Sequence, residues 1–477
     1  MKYFSSLYLF LLLFFSLHSY AQNNKAQEAV DNFCQLATMK SANISILIYD
    51  QTANKTIAAH RPEHSVPTAS TMKVITTATA LEYLTPDFCF PTYLLTDGKI
   101  TCSTLEGNLY IYGTGDPTLG SEYLGNKNFL SQWVNALKQL GIKRIKGRVI
   151  ADASFYDPAE SIPYNWIYED LGNYYAPGIY PLPYFDNTMT IFLKSGPVGT
   201  EASVVGLSPE IADITFENYM TCGVGRDWFV NGLPYNNHRV LSGCITPNKG
   251  RWSVKAAIPN PPLLLAQDLT KQCIRNGISI DSAATYTKTV SNQQRDTLYT
   301  YRSVPLKDII AHTNQESDNM YAEQIFRYLG TLVGTPVLIA NCSEMEKMFW
   351  HNHAVNLHSA FIFDGSGLSP QDAVSAKSFV EILRYMATKS KFRNEWIASL
   401  PVSGQSGTLK GFLADTKLEG KVIAKSGTTS RVKSYAGYVN APDGHQYVFA
   451  ILVNNATTKS RNVRKDIEKL LKDIFID

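Results

Sequence analysis

The hydrophobic and polar positions along the chain form regular patterns near both ends. Residues 44–49 alternate between apolar and polar side chains and are rich in β-branched residues, which predicts a strand with one face exposed to solvent. Apolar residues then recur at helical spacing from Met72 to Leu84, directly after a turn at residues 67–69. Ser70 is therefore predicted to lie at the start of a helix.

The C-terminal part of the sequence also predicts strands and a helix, with three strands instead of one. Residues 422–424, 434–439 and 447–453 have the β-rich apolar composition of strands, with turn residues between them. Apolar residues from Val463 to Ile474 fall on one face of a final helix. One strand and one helix near the start, with three strands and one helix at the end, predict a single antiparallel sheet covered by helices.

The long middle part has a different character. From about residue 86 to about residue 300 the chain is rich in short predicted strands and in Tyr, Pro and Gly, and it has no repeat at solenoid spacing. We expect an α+β multidomain protein. Residues 22–85 and 300–477 would form one domain, and residues 86–299 would form an inserted region of β-rich accessory domains.

The N-terminus and the charge balance indicate the compartment. Lys2, an apolar run from Leu7 to Leu17 and the sequence Ser19-Tyr20-Ala21 predict a signal peptide over residues 1–21, with an uncleaved signal anchor as the alternative. No later segment approaches eighteen uninterrupted apolar residues, so we expect at most peripheral membrane contact. Without Lys2 the chain has 43 basic and 41 acidic residues, which gives no reason to expect nucleic acid as a partner.

Seven cysteines remain in a chain that is expected to be exported, where disulfides are permitted. On loop length alone, Cys89 with Cys102 and Cys222 with Cys244 are candidate pairs, and the alternative is seven small buried hydrophobic residues. No C-x-x-C sequence occurs, so a redox or zinc-ribbon site has no support.

Three short strings carry the chemistry. They are Ser70-Thr71-Met72-Lys73, Ser317-Asp318-Asn319 and Lys425-Ser426-Gly427. Each string has chance matches elsewhere, but only this set has the order S-x-x-K, S-x-N, K-[ST]-G. Ser317 lies 247 positions after Ser70, and Lys425 lies 108 positions after Ser317. The ordered set indicates an active-site serine acyltransferase.

Ser70 and Lys73 have the residue types and spacing of a nucleophile and its base. A serine hydroxyl is a weak nucleophile until a neighbouring base takes its proton, and residues three apart on a helix share one face. Lys73 can act as that base if the pKa of its amine falls. Burial and a second cation, here Lys425, would both lower this pKa.

These strings resemble those of the penicillin-binding proteins and serine β-lactamases. The long first gap and four further strings are similar to the DacB-type D-alanyl-D-alanine carboxypeptidase/endopeptidase family. The further strings are Gly113-Thr114-Gly115-Asp116-Pro117, Ala151-Asp152-Ala153-Ser154-Phe155, Asp364-Gly365-Ser366-Gly367-Leu368-Ser369 and Gly407-Thr408-Leu409. The resemblance covers nearly the whole mature chain. It implies a DD-peptidase domain like that of the β-lactamases and two accessory domains, one nested in the other.

The resemblance also implies five catalytic residues: Ser70, Lys73, Ser317, Asn319 and Lys425. Ser70 would attack the carbonyl of the penultimate D-alanine of a peptidoglycan stem peptide, and β-lactam antibiotics would acylate the same serine. Ser317 would relay a proton to the leaving amine, and Asn319 would bind the substrate amide and Lys73. A capping or Asx-turn role is the alternative for Ser317 and Asn319. This chemistry needs no metal and no cofactor.

The family resemblance assigns substrate binding to four residues: Ser426, Gly427, Thr428 and Asp152. Ser426 stands where the family usually has threonine. Because the hydroxyl is retained, it should still bind the substrate carboxylate, whereas the effect of the missing methyl group on the selectivity of the pocket is not predicted. Gly427 would let the substrate backbone approach closely, and the backbone N–H groups of Ser70 and Thr428 would form the oxyanion hole. Asp152 would lie near the side-chain amine of the substrate's diaminopimelate, with a turn-forming role as the alternative.

Two rival functions stay open alongside a periplasmic peptidase. A serine β-lactamase would share the fold and differ in its faster deacylation. A catalytically silent peptidoglycan-binding module would use the same cleft, although such a module has no need for a complete nucleophile and base.

Two further patterns are expected to be without catalytic function. Glu169 and Asn173 have the spacing of the deacylating glutamate motif of class A β-lactamases, but they precede the S-x-N string, so Glu169 is expected to be a structural acid. His351, His353 and His358 lack an H-E-x-x-H pattern, and no metal site is expected there.

Overall fold

A computed structural model of the chain describes residues 25–225 and 227–476. Its helices are α1 (25–35), α2 (Lys73–Leu84), α3 (Phe129–Gln139), α4 (Pro261–Arg275), α5 (Leu306–Glu316), α6 (Asn319–Leu329), α7 (Ile339–Asn352), α8 (Ala376–Thr388), α9 (Arg393–Ser399) and α10 (Ser460–Phe475). Its strands near the two ends of the chain are β1 (Asn43–Asp50), β2 (Lys55–His60), β3 (Val66–Pro67), β19 (Ala373–Val374), β20 (Val422–Thr428), β21 (Val432–Asn440) and β22 (Gln446–Asn454).

The strands of the middle part, numbered in the same chain order, are short. They are β4 (Pro91–Thr96), β5 (Ile100–Thr101), β6 (Thr104–Leu105), β7 (Leu109–Gly113), β8 (Arg144–Ile145), β9 (Val149–Asp152), β10 (Thr188–Lys194), β11 (Ser203–Ser208), β12 (Thr215–Cys222), β13 (Trp228–Asn231), β14 (His238–Ile245), β15 (Trp252–Ala257), β16 (Ser279–Ile280), β17 (Thr285–Thr287) and β18 (Asp296–Arg302).

Segments from both ends of the chain form one antiparallel sheet with the strand order β2-β1-β22-β21-β20. The prediction of a single sheet covered by helices is confirmed, and β2 is an edge strand that the sequence pattern does not reveal. Helix α8 packs on one face of the sheet and α10 on the other. The sheet therefore lies between two helical layers.

The prediction that the first strand is half exposed is wrong. Leu47 packs in the core on the side of α8, whereas Ile46 and Ile48 pack with the apolar residues of α10. Even Ser45 is buried, where its hydroxyl donates to the Arg61 carbonyl oxygen at 3.0 Å. Helices on both faces therefore bury both sides of this strand from Ile44 to Ile48.

The inserted part of the chain begins and ends on neighbouring strands. β4 and β18 pair antiparallel in the five-stranded sheet β17-β9-β7-β4-β18, against which α3 and α4 pack. Between β9 and α4 the chain forms two three-stranded sheets, β11-β10-β15 and β12-β14-β13. We propose that this region is a separate unit with a second unit nested in it. Because a boundary at residue 299 falls inside β18, we place the end of the inserted region after Arg302.

Neither candidate disulfide is formed, since all seven cysteines are free. In the parallel pair of β12 and β14, Cys244 is in register with Thr221 rather than with Cys222. The two cysteines therefore project from opposite faces of that sheet. Cys102 is exposed, and Cys89 lies just before β4.

The predicted signal peptide, residues 1–21, lies outside the described residues. Among the helices of the described part, none is long and apolar enough to cross a bilayer.

Candidate active site

The candidate nucleophile lies where a 3₁₀ turn joins a helix. Ser70 is in the turn Ala69–Met72, which runs directly into α2 at Lys73, so the predicted helix start is confirmed. Ala69 has a φ of +46°, a backbone conformation that is unfavourable for a residue with a Cβ. Gly367 packs against it so closely that a Cβ there would lie 1.9 Å from the Ala69 carbonyl oxygen. The Gly367 turn therefore helps to hold the Ser70 backbone in this conformation.

Three oxygen atoms surround the amine of the fully buried Lys73. Its Nζ lies 3.1 Å from Ser70 Oγ, 2.7 Å from Asn319 Oδ1 and 2.7 Å from the Ser366 carbonyl oxygen. The Asn319 amide has a defined orientation, because its Nδ2 donates to the Tyr175 carbonyl oxygen at 2.8 Å. A neutral amine can donate to the amide and carbonyl oxygens and direct its lone pair at the Ser70 hydroxyl. The geometry is that of a base ready to accept the serine proton.

Burial lowers the pKa of both lysines in the site. It brings the pKa of Lys73 to about 8, although the buried Asp364 and Glu323 act in the opposite direction. Burial also holds the pKa of Lys425 well below its ordinary value, and the charge of Lys73 lowers it further. The expected effect of burial on Lys73 is therefore present. The repulsion between the two cations acts on the pKa of Lys425 instead.

The second string lies at the junction of α5 and α6. Ser317 has a left-handed backbone with a φ of +60°, and its Oγ accepts from Lys425 Nζ at 2.9 Å. Asp318 caps α6, because its carboxylate accepts from the backbone N–H of Tyr321 at 3.1 Å. The capping role that was the alternative for Ser317 and Asn319 thus belongs to the residue between them, and both outer side chains bond to the lysines.

The third string forms the end of β20. Lys425 is fully buried and also donates to the carbonyl oxygen of Ser426 at 2.9 Å. Ser426 Oγ donates to Thr408 Oγ1 at 2.8 Å, which brings the Gly407-Thr408-Leu409 string to the site. Lys425 does not contact Ser70 and reaches the site through Ser317. The structure therefore links Ser70 with Lys73, and Lys425 with Ser317.

Gly427 packs closely against neighbouring parts of the protein. A Cβ there would lie 2.3 Å from Ser434 Oγ and 2.7 Å from the Thr68 carbonyl oxygen. Both atoms belong to the protein, so Gly427 lets β20 pack against the turn that carries Ser70. The close approach of the substrate backbone at this residue stays a prediction.

A cavity of about 650 Å³ opens beside these residues. From the peptidase part it is lined by residues that include Ser70, Asn319, Gly367, Thr428 and Arg431. From the inserted part it is lined by Ile167, Glu169, Asp170 and Tyr175. The cleft thus lies between the two parts of the chain, with two acidic residues on one side and a guanidinium group on the other.

Asp152 is not brought to this cavity. Its carboxylate is buried at the end of β9, where it forms an ion pair with Arg295, and the Arg295 guanidinium stacks on the ring of Tyr110. The same carboxylate accepts from the Ser154 backbone N–H at 3.0 Å. The geometry fits the turn-forming alternative, and the acidic residues at the cleft are Glu169 and Asp170 instead.

Glu169 also departs from the expectation of a structural acid, since it is exposed and lines the cavity. Asn173 is the structural member of that pair. It is buried, and its side chain accepts from the Val230 backbone N–H at 3.2 Å and donates to the Glu169 carbonyl oxygen at 3.0 Å. In the sequence, this part of the cleft is marked by the adjacent acids Glu169 and Asp170 in a stretch rich in aromatic residues.

Of the three histidines near the end of α7, His353 serves packing, while His351 and His358 are exposed. The ring of His353 stacks on Phe349 with centroids 4.2 Å apart. Within residues 25–225 and 227–476, no group of three or more His, Cys, Asp or Glu side chains has the arrangement of a metal site.

A buried turn after Asp364 supports the Lys73 amine. The Asp364 carboxylate accepts from the backbone N–H groups of Ser366 at 3.0 Å and Ser369 at 2.7 Å, and from Trp166 Nε1 at 2.7 Å. Glu323 accepts from the Ser366 N–H at 2.9 Å, and burial raises its pKa to about 8. Because the Ser366 carbonyl oxygen accepts from Lys73, these groups position the candidate base. Trp166 and Glu323 have no motif that identifies them in the sequence.

The fold and the site together define the class of active-site serine acyltransferases. The sequence matches the D-Ala-D-Ala carboxypeptidase 3 (S13) family over residues 26–474. The chain belongs to this family and is a serine-type D-Ala-D-Ala carboxypeptidase.

The chain is also similar to individual members of this class over most of their length. The chain is 25% identical to a D-alanyl-D-alanine carboxypeptidase DacB of Haemophilus influenzae over 451 residues, which is 91% of each protein. It is 25% identical to a D-alanyl-D-alanine carboxypeptidase of Actinomadura sp. over 450 residues, 91% of this chain and 82% of that protein. The crystal structure of penicillin-binding protein 4 of Haemophilus influenzae has the same fold, with a TM-score of 0.81 at 22% identity, over 94% of this chain and 99% of that one.

Proposed function

We propose that this enzyme trims and cleaves the stem peptides of peptidoglycan through an acyl-enzyme on Ser70. The observation that carries the proposal is the contact of a buried Lys73 amine with the Ser70 hydroxyl at 3.1 Å. A base with a pKa of about 8 has a useful neutral fraction at neutral pH and can accept the serine proton.

The first step transfers the Ser70 proton to Lys73 while the serine oxygen bonds to the carbonyl carbon of the penultimate D-alanine. The peptide C–N bond then breaks, and its nitrogen needs a proton. Ser317 can relay that proton from the Lys425 ammonium group, because Lys425 Nζ donates to its oxygen at 2.9 Å and its hydroxyl hydrogen is left to face the substrate. Water then hydrolyses the ester. Its oxygen bonds to the acyl carbon, one of its protons returns to Lys425 through Ser317, and Lys73 gives its proton back to the Ser70 oxygen, which regenerates the serine.

The remaining assignments concern binding. The backbone N–H groups of Ser70 and Thr428 would form the oxyanion hole, and both residues line the cavity. Ser426 and Lys425 would bind the carboxylate of the terminal residue. We propose that Glu169, rather than Asp152, meets the side-chain amine of diaminopimelate, because Glu169 is exposed in the cleft while Asp152 is buried and paired.

The same site should react with penicillin, whose strained amide replaces the D-alanyl peptide bond. In support, a structure of the Haemophilus influenzae penicillin-binding protein 4 is complexed with a β-lactam. A predicted leader peptide and a peptidoglycan substrate both favour an exported enzyme that works in the periplasm.

The decisive experiment compares Ser70→Ala with Ser41→Ala, an exposed serine in a chance S-x-N match. Ser70→Ala should abolish both covalent capture of labelled penicillin and release of D-alanine from a pentapeptide, and Ser41→Ala should leave both unchanged. Retention of either activity by Ser70→Ala would refute the proposal. Slow turnover of a chromogenic cephalosporin is expected, and fast turnover would favour a β-lactamase.

The binding proposal has its own test. Glu169→Gln should lower kcat/KM for a diaminopimelate peptide by about tenfold, the effect of losing one charged contact, with little change for a peptide in which that amine is acetylated. Asp152→Asn should leave the ratio of the two substrates unchanged. If the ratio changed in Asp152→Asn and not in Glu169→Gln, Asp152 rather than Glu169 would be the residue that binds the amine.

A further inference from the structure

The loop that forms one wall of the cleft presents aromatic side chains to solvent. Tyr164 is 72% exposed and Tyr168 is 71% exposed, while Tyr174 is 46% exposed and Ile167 is 44% exposed. Within the part of the chain that the structure describes, neither Tyr164 nor Tyr168 has a partner for its ring or its hydroxyl. Neighbouring exposed rings on one loop of a soluble protein indicate a contact surface.

The loop is held in place on both sides of these rings. Trp166 Nε1 donates to Asp364 Oδ2 at 2.7 Å, and Asn319 Nδ2 donates to the Tyr175 carbonyl oxygen at 2.8 Å. The Tyr168 carbonyl oxygen accepts from the Leu171 backbone N–H and from Asn231 Nδ2, both at 3.2 Å. The exposed rings are therefore presented by an ordered backbone, which lowers the entropy that a ligand must overcome on binding.

The loop that carries the rings also lines the catalytic cleft. Ile167, Glu169 and Tyr175 come from the same loop and line the cavity that contains Ser70. In peptidoglycan the scissile bond is joined to the glycan by about four residues, which span at most about 14 Å when extended. A stem peptide bound at Ser70 therefore brings its own sugar chain to the rim of this cleft.

Charge decides between the possible partners. From residue 149 to residue 193 the sequence has no Lys or Arg, and the acidic residues of this stretch that reach the surface are Asp157, Glu169 and Asp170. Such a surface repels anionic lipid headgroups and nucleic acid. It does not oppose a neutral amino sugar, which has an apolar face of C–H groups and a rim of hydroxyl groups.

We propose that Tyr164 and Tyr168 form a stacking platform for the glycan strand of peptidoglycan. A tyrosine ring covers the apolar face of a sugar, and its hydroxyl group can bond to the sugar rim. The platform rests on the proposed function, because the glycan reaches it through the stem peptide in the cleft. It gives the enzyme a preference for polymeric wall over free peptides.

The test uses the full-length enzyme with two substrates, a soluble pentapeptide and purified intact sacculi. Tyr164→Ser/Tyr168→Ser should keep kcat/KM for the pentapeptide within about twofold and lower D-alanine release from sacculi by about tenfold, the effect of losing two ring contacts. Tyr164→Phe/Tyr168→Phe should retain most of the activity on sacculi. Tyr219→Ser, at a 60% exposed tyrosine on β12, is the matched control and should behave like the unchanged enzyme.

Direct binding separates the platform from the peptidase site. The unchanged enzyme should bind glycan strands from which the peptides have been removed, and the double serine variant should not. The platform would be overturned if the double serine variant lost equal activity on both substrates, or if its activity on sacculi were unchanged. It would also be overturned if the unchanged enzyme bound vesicles of phosphatidylglycerol and the double variant did not. If the unchanged enzyme had no activity on the pentapeptide, the proposed function would be refuted. The glycan-binding result would still test the platform.

Discussion

At the scale of single residues, the chemistry depends on where Lys73 can place its amine. Its three hydrogen-bond partners are uncharged oxygen atoms, of which two can only accept. The charged groups that influence its pKa, Asp364 and Glu323, act from a second layer. A base held in this way loses its proton near neutral pH because burial disfavours the ammonium form.

This arrangement predicts the pH dependence of acylation. Since only the neutral amine accepts the serine proton, the rate of penicillin capture should rise with pH, pass an inflection near the Lys73 pKa of about 8, and then level off. The measurement is the second-order rate of labelled penicillin capture between about pH 6 and pH 9. A flat profile would contradict the role of Lys73.

Glu323→Gln is the companion variant. The glutamine keeps an oxygen for the Ser366 N–H but removes the carboxyl group whose negative charge, present above its own pKa of about 8, raises the Lys73 pKa. The inflection should therefore move to lower pH, and an unmoved inflection would show that the charge of Glu323 has no such effect.

Ser426 allows a second prediction at this scale. Its hydroxyl bonds to Thr408 Oγ1 at 2.8 Å and stands where the family usually has threonine. Ser426→Ala should lower kcat/KM for a pentapeptide by at least about tenfold, the effect of losing a hydrogen bond to a carboxylate. Ser426→Thr keeps the hydroxyl and should stay within about threefold. Equal losses in the two variants would mean that space, and not the hydroxyl, governs this position.

At the scale of elements, the site depends on close contact between β20 and the 3₁₀ turn that carries Ser70. Gly427 and Gly367 approach this turn from two sides, and a Cβ at either would overlap backbone atoms of Thr68 or Ala69. Gly427 therefore sets how closely the strand approaches the nucleophile, and Gly367 sets how closely its own turn does.

Gly427→Ala should force β20 away from the turn. We expect the free energy of unfolding to fall by about 2 kcal/mol through overpacking, with a loss of penicillin capture even where the protein remains folded. Urea unfolding and labelled penicillin measure the two effects. Gly334→Ala, where a Cβ would meet nothing within 4 Å, is the control and should change stability by less than about 0.5 kcal/mol.

The elements also show where a sequence pattern is reliable. The periodicity after Ser70 predicts α2 correctly, because the spacing of apolar residues reflects the helix itself. The same pattern cannot tell how many faces of a strand are covered, so β1 is wrongly predicted to be half exposed and β2 is missed. Burial on the second face comes from α10, which lies more than four hundred residues further along the chain.

At the scale of the whole molecule, the inserted region completes the peptidase site. The Tyr175 carbonyl oxygen orients Asn319, and Trp166 bonds to the carboxylate that holds the Ser366 turn. Buried Arg327 of α6 donates to Glu160 Oε2 at 3.1 Å. The two parts of the chain therefore share polar contacts as well as the cleft between them.

Trp166→Phe tests this dependence. The side chain stays aromatic but becomes smaller, and one oxygen of Asp364 loses a buried donor. The free energy of unfolding should fall by about 1.5 to 3 kcal/mol, and penicillin capture should slow because the Ser366 carbonyl oxygen is less well fixed. Trp252→Phe is the control, because its Nε1 has no hydrogen-bond partner among the described residues. An unchanged capture rate in Trp166→Phe would show that the inserted region does not support the base.

The same contacts explain which site residues could be predicted. Ser70, Lys73, Ser317, Asn319 and Lys425 lie in short ordered strings, and the structure joins them through the hydrogen bonds of the two lysines. For Asp152 the sequence carries less information, because a single acid at a strand end has no neighbour in sequence to reveal whether Arg295 pairs with it. Glu169 and Trp166 reach the site only through long-range packing.

Residue types and local periodicity were enough to predict the reaction class, the helix that begins at the nucleophile and four of the five strands of the central sheet. The folded structure was needed to show which acid faces the cleft, how closely Gly427 packs and what supports Lys73. Those features depend on side chains from segments far apart in sequence, and their distances are fixed only when the core packs.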